Sequence, residues 1–191
     1  MHKRTAAAVV VAFFLGGAVG AVGLLTKQAL DFSRVAALAP HPAWTEIDWP
    51  FLVDEWGKGK AFRCAASNCG TEVHLYLRPK IGFCNCTTGV SDDAELERLS
   101  DFELMGSRIS NLRDGRPVTI GWMKGRSRAY EFTGAARGGK SGLSIAFNDK
   151  CDAVVATVVA GHDDPDAIES AAIGFLNEKP ILQWVEGALG L

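Results

Sequence analysis

The sequence predicts an α+β domain, an antiparallel meander sheet with helices on one face, preceded by an N-terminal transmembrane helix. Three observations carry this reading. Thr5 to Thr26 is a run of 22 residues without a charge. From Pro117 onward, short Val-, Ile- and Phe-rich runs alternate with turn chemistry at a spacing of about ten residues, as in antiparallel sheets. Beyond Pro165 the apolar positions switch to helical spacing.

The uncharged run follows Met1-His-Lys-Arg at once. At about 1.5 Å per residue a helix of that length spans roughly 33 Å, enough for a hydrocarbon core of about 30 Å. A cleaved signal peptide has a shorter apolar core of about 7–15 residues. Ala18-Val19-Gly20 and Ala21-Val22-Gly23 fit its small-residue cleavage site, but the length of the run favours an uncleaved anchor. Leu30, Val35 and Leu38 continue a helical pattern to Ala39, and Pro40 and Pro42 then break it. Residues 1–26 are therefore read as a membrane anchor or signal segment and 27–43 as a helical, Pro-rich linker. Residues 44–191 are read as one extracytoplasmic domain. The amino terminus, Lys3 and Arg4 outweigh Lys27 and Arg34, so the positive-inside bias puts the body outside the cytoplasmic membrane, in the periplasm of a single-pass protein.

Residues 27–191 keep all 22 Asp+Glu and 18 of the 20 Lys+Arg, a net charge of −4. A mildly acidic body has no electrostatic reason to bind nucleic acid. One apolar run excludes a multi-span transporter, and 48% hydrophobic residues exclude a disordered chain.

Trp44, Trp49 and Trp56 open the domain. Indoles this close together either pack over the edge of a core or form a surface for a partner; they are the candidate partner contacts. Thr71–Arg78 alternates, with Val73, Leu75 and Leu77 on one face and Glu72, His74, Tyr76 and Arg78 on the other, and reads as a half-buried strand ended by Pro79-Lys80. Ile81–Cys86 reads as a short partner strand. Ser91-Asp92-Asp93-Ala94-Glu95 is a helix start with an acidic first turn, and Leu96, Leu99 and Phe102 form its apolar stripe. Arg113–Pro117 is a turn. Strands are expected at Val118–Trp122, Arg128–Phe132, Leu143–Phe147 and Ala153–Val159, with turns at Lys124-Gly125, in the Gly-rich stretch and at Asn148-Asp149-Lys150. Asp163 or Asp164 caps a helix with Pro165 in its first turn and Ile168, Ala171, Ala172, Phe175 and Leu176 inward. Ile181–Leu189 is a second helix burying Leu182, Val185 and Leu189. This element order over residues 117–191 resembles that of the PsbP/Mog1-like proteins. No motif of the chain matches that family, so the resemblance assigns neither site nor activity.

Cys64, Cys69, Cys84 and Cys86 fall within 23 residues and Cys151 lies apart. In an oxidising compartment a disulfide frame is the first expectation. The four clustered cysteines are the candidates, with Cys151 left over. A Cys64–Cys69 bond is sterically accessible and a Cys84–Cys86 ring strained. Cross-pairs between the two groups would staple the Thr71–Arg78 strand, and the reading favours these. The alternative is a soft-metal site for Cu(I) or zinc on Cys84 and Cys86, with His74 or Met105 as the third ligand. Gly134–Ser141 has the G-x-x-x-x-G-K-[ST] pattern of a phosphate loop, but the following Gly142–Phe147 alternates as a strand, so the helix that would face the phosphates is missing. His162, Asp163, Asp164 and Asp166 gather an imidazole and three carboxylates at the start of a helix, where acids suit the dipole. No nucleophile elbow and no H-E-x-x-H zinc motif occurs.

The sequence thus leads to a non-catalytic, membrane-anchored periplasmic accessory protein, attached to the membrane through its N-terminal helix. It needs no cofactor, binds neither nucleic acid nor nucleotide, and works through an envelope or membrane-complex protein. The alternative is a thiol-dependent copper-handling protein built on Cys84-Asn-Cys86.

Overall fold

A computed structural model describes residues 43–105, 108–133, 140–161 and 164–191, all within the unit Pro42–Leu191. The anchor and most of the linker, the glycine-rich loop 134–139, and His162 and Asp163 lie outside the described residues. Among the described residues no helix is long and apolar enough to cross a membrane.

Alternation of Val73, Leu75 and Leu77 with His74, Tyr76 and Arg78 produces strand β3, Val73–Lys80. It runs through Pro79 instead of stopping before it. Its neighbour β2, Lys60–Cys64, begins at Lys60 opposite Leu77, so Pro79 lies beyond the end of that strand and leaves no gap in the β2 ladder. On its other edge β3 pairs with β8, Asp152–Ala160, from His74↔Val159 to Lys80↔Ala153. The remaining strands are β1 Trp44–Ile47, β4 Arg108–Asn111, β5 Arg116–Ile120, β6 Met123–Thr133 and β7 Lys140–Asp149. They form one antiparallel sheet of eight strands in the order β1-β2-β3-β8-β7-β6-β4, with β5 also on β6. The 11-residue β6 is long enough to carry β5 and β4 end to end on one edge.

The result is two meanders, β1-β2-β3 and β5-β6-β7-β8, joined where β3 meets β8. The sequence reading found most of the second meander but missed β1, β2 and β4, and it placed a strand at Ile81–Cys86 where the chain turns. The β5–β6 turn lies at Gly121-Trp122, not Lys124-Gly125. Gly121 has the positive φ of 60° that a tight hairpin requires. Gly125 sits inside β6 opposite Phe147, where an added Cβ would come within 2.1 Å of the Ala146 carbonyl oxygen.

Central strands β7 and β8 bury both faces, which explains the nearly continuous apolar run Ala153–Val159. On one face, Leu75, Leu77, Leu143, Ile145, Phe147, Val154, Ala156 and Val158 meet two helices, α3 Pro165–Leu176 and α4 Lys179–Leu189. Trp44 stacks on Phe175 of α3 at 4.8 Å, and Phe62 meets the same ring edge-on at 4.8 Å. The buried carboxylate of Glu169 ties α3 to the sheet through Arg113, Arg116 and the Ser127 hydroxyl. A buried charge is tolerated here because it is paired and hydrogen-bonded.

The second face is covered too, so the helices are not confined to one side. The short helices are α1 Ala66–Cys69 and α2 Asp93–Leu99. Leu96 and Leu99 of α2, with Val90, pack on Ala146, Ala153 and Val155. Helix α2 starts where the acidic cluster predicts, its cap being Asp92, whose carboxylate accepts the Glu95 N–H at 2.8 Å. Asp92→Ala should therefore cost about 1 kcal/mol, read as a lower urea midpoint at unchanged slope. A neutral result would mean that α2 does not depend on its cap.

Candidate functional site

Two loops meet at the Lys80 end of β3: residues 48–59, joining β1 to β2, and residues 81–92, joining β3 to α2. The link between them is Trp56, edge-on to Phe83 at 4.7 Å. Because side chains alternate along a strand, Tyr76, Arg78 and Lys80 project from β3 on the face opposite α3 and α4, beneath these loops.

From the sequence, Arg78 reads as part of the polar side of a half-buried strand and Lys80 as part of its Pro79-Lys80 stop. They are instead at most 5% exposed, as is Asp101. The Arg78 guanidinium uses its whole fork. Nη1 donates to both Asp54 oxygens at 2.7 and 2.6 Å, while Nε and Nη2 donate to Asp101 at 3.0 and 2.5 Å. Lys80 Nζ reaches the same Asp101 at 2.8 Å. Two cations thus meet two carboxylates in a neutral cluster, the condition under which charges are tolerated at low dielectric. Hydrogen bonding from Arg78 holds the Asp54 carboxyl below its ordinary range.

Aromatic rings wall this cluster. Arg78 lies 6.0 Å from the Trp49 ring, and Lys80 lies 5.2 Å from Trp56 and 5.8 Å from Phe83. Trp49, Phe51 and Tyr76 meet edge-on. The three tryptophans therefore do not form one surface. Trp44 belongs to the core under α3, while Trp49 and Trp56 are half-buried beside the charges on the opposite face. What the first loop does expose is Leu52, at 91%, and Val53, at 60%.

The cysteines divide between the two ends of β3. Cys64 is bonded to Cys69 across α1 at one end, and Cys86 is bonded to Cys151 at the other. This corrects two expectations. Cys151 is not left over, and no cross-pair forms between the groups. Eight residues of extended β3 separate the groups by about 26 Å, whereas a disulfide needs Cα atoms within about 7 Å. Cys151 is brought in by the tight β7–β8 hairpin. Asp149 pairs with Asp152, and Lys150, at φ 52°, turns the chain. Cys84 is the free, buried cysteine.

The proposed soft-metal set is not assembled. Cys86 is committed to its disulfide. His74 lies six residues back along β3 from Lys80, about 20 Å, where it meets Glu72 at 3.0 Å. Among the described residues no group of three His, Cys, Asp or Glu side chains is arranged to hold a metal ion. The glycine-rich loop falls outside the described residues except for Lys140 and Ser141, which open strand β7, not a helix. At the other acidic cluster, Asp164 caps α3 by accepting the Asp166 N–H at 3.0 Å. Asp166 itself pairs with Arg113 and Arg116.

Sequence reasoning did not single out Arg78, Lys80, Asp54, Asp101 or Phe83. A signal was available: two cations two residues apart on one face of a strand whose facing loops carry aromatics and acids.

The fold and these loops define an α+β domain braced by two disulfides. No protein family matches the chain by sequence, and no curated protein does. Among solved structures it is similar to the solution structure of cyanobacterial PsbP from Synechocystis sp. PCC 6803, at 11% identity and a TM-score of 0.41. That match covers 66% of this chain and 75% of the other. No residue role is transferred from it.

Proposed function

We propose that the protein is a membrane-anchored, extracytoplasmic accessory protein that acts by binding a component of an envelope or membrane complex and catalyses no reaction. The observation that carries this reading is the pair of disulfides, Cys64–Cys69 and Cys86–Cys151. Such bonds persist outside the reducing cytosol, and the 22-residue uncharged run supplies the means of export and attachment. The charged groups beneath the paired loops support a binding role over a catalytic one. Arg78, Lys80, Asp54 and Asp101 satisfy one another, so none is held ready for proton transfer.

Topology and partnership are tested separately. An alkaline phosphatase fused after Leu191 should be active in intact cells, and the protein should stay in the membrane pellet after carbonate extraction. An inactive fusion would overturn the extracytoplasmic reading. A processed, soluble form would overturn the anchor. Cross-linking of the full-length protein in intact membranes should give a discrete hetero-complex; recovery solely as monomer would count against the accessory role.

A further inference from the structure

Three of the five cysteines converge on the β7–β8 hairpin. The Cys84 N–H donates to the Cys151 carbonyl at 3.1 Å. The Cys84 thiol donates to the adjacent Lys150 carbonyl, also at 3.1 Å. The residue with the free thiol is therefore tied by its backbone to the residue whose sulfur is already bonded to Cys86, and its thiol rests on the carbonyl just before it. The two competitors for Cys151 differ in access. Cys84 is 6% exposed, whereas Cys86 is exposed. Asn85 sets this contrast, because its side chain accepts the N–H groups of Thr87 and Thr88 at 2.9 and 3.2 Å and turns the chain outward at Cys86.

We propose that Cys84, Cys86 and Cys151 form a thiol–disulfide exchange site that acts on disulfide-bearing small molecules. In the first step Cys84 gives its proton to solvent and the thiolate attacks Cys151 Sγ. The Cys84–Cys151 bond forms as Cys86–Cys151 breaks, and the electron pair leaves on Cys86 Sγ. The step needs no oxidant or reductant. In the second step the Cys86 thiolate attacks a disulfide R–S–S–R. A Cys86–S–R bond forms and R–S⁻ leaves to take up a proton. The resting pairing thus masks an exposed nucleophile, and the buried thiol releases it. The exchange is stoichiometric, consuming one small-molecule disulfide per chain, so it stands beside the accessory reading without making the protein a catalyst.

The attacking species is the thiolate, and burial pushes the Cys84 thiol up. Glu95 of α2 and Asp152 of β8 add to that rise, while Arg98 of α2 opposes it. The thiolate fraction consequently grows as pH rises toward that raised value, so exchange accelerates from neutral to alkaline pH.

The test uses full-length protein purified without reductant and incubated with oxidised glutathione, then quenched in acid and mapped by peptide mass spectrometry. The expected products are a Cys84–Cys151 cross-link and glutathione on Cys86, formed faster at higher pH. Cys84→Ser should lose both products and keep Cys86–Cys151. Cys86→Ser should close Cys84–Cys151 at the expense of oxidised glutathione, which takes the two electrons and is released as two molecules of reduced glutathione. Glutathione on Cys84 with Cys86–Cys151 intact would overturn the proposal, as would an unmodified wild-type protein. So would a folded Cys86→Ser protein in which Cys84 and Cys151 both alkylate freely.

Discussion

Asp101→Leu is expected to destabilise the domain by about 3–5 kcal/mol, the range for removing one partner from a buried ion pair. Asp101 accepts from Arg78 at 3.0 and 2.5 Å and from Lys80 at 2.8 Å. Its loss leaves two buried cations facing Asp54 alone. Asp54 contacts Arg78 and is about a third exposed, so it cannot compensate Lys80. Lys80 would keep only the faces of Trp56 and Phe83, worth about 0.5–2 kcal/mol each. Asp54→Ala should cost less, because solvent reaches that side of the guanidinium and Asp101 remains. The cluster also predicts a rescue. Adding Arg78→Met and Lys80→Met to Asp101→Leu should recover most of the loss, since apolar side chains of similar volume often replace a buried ionic group without penalty. Urea denaturation with an unchanged slope would measure all three. A loss below about 1 kcal/mol for Asp101→Leu would mean that water reaches the cluster and that the paired loops are not a closed unit.

The same residues show where the sequence was readable and where it was not. Strand β3 is legible because Val73, Leu75 and Leu77 face one core in strict alternation. Helix α3 is legible because Asp164 and Pro165 mark its start and Ile168, Ala172, Phe175 and Leu176 recur on one side. Strand β2 is not, since Ala61 and Phe62 are buried on opposite faces and no polar alternation survives. Strand β4, Arg-Ile-Ser-Asn, has no apolar face to reveal it. Gly125 carried a turn signal but sits in a strand because Phe147 approaches too closely for any side chain. The candidate site was hidden for another reason. Period-2 spacing gives the face of Arg78 and Lys80, not what covers that face, and their partners Asp54 and Asp101 arrive from loops more than 20 residues away. Cysteine pairing depended on topology in the same way. Spacing along the chain placed Cys84 and Cys86 near Cys64 and Cys69, while eight residues of extended β3 hold the two groups apart and a hairpin remote in sequence brings in Cys151.

That topology sets the second large effect. Cys86–Cys151 joins residues 65 apart in sequence and Cys64–Cys69 residues 5 apart. Loop-closure entropy of the unfolded chain grows with the logarithm of that separation, which makes the first bond worth about 4 kcal/mol and the second about 2 kcal/mol. Cys151→Ser should therefore be the more damaging single cysteine change. It removes the long closure outright, because Cys84 and Cys86 then have only each other nearby. Cys64→Ser should lose about half as much. Cys86→Ser separates the entropic argument from the loss of a particular bond. If Cys84 takes over Cys151, the new bond closes a loop of nearly the same length, and stability should stay close to that of the wild type although a native disulfide is gone. The comparison is made by urea unfolding of the three variants without reductant, and again after reduction. Reduction should erase the difference between Cys86→Ser and Cys151→Ser and leave the wild type weakened by both bonds. Equal losses for Cys151→Ser and Cys64→Ser would show that long-range closure by the β7–β8 hairpin does not govern the stability of the domain. A Cys86→Ser variant as unstable as Cys151→Ser would show that Cys84 cannot reach the sulfur of the residue whose carbonyl its backbone N–H bonds.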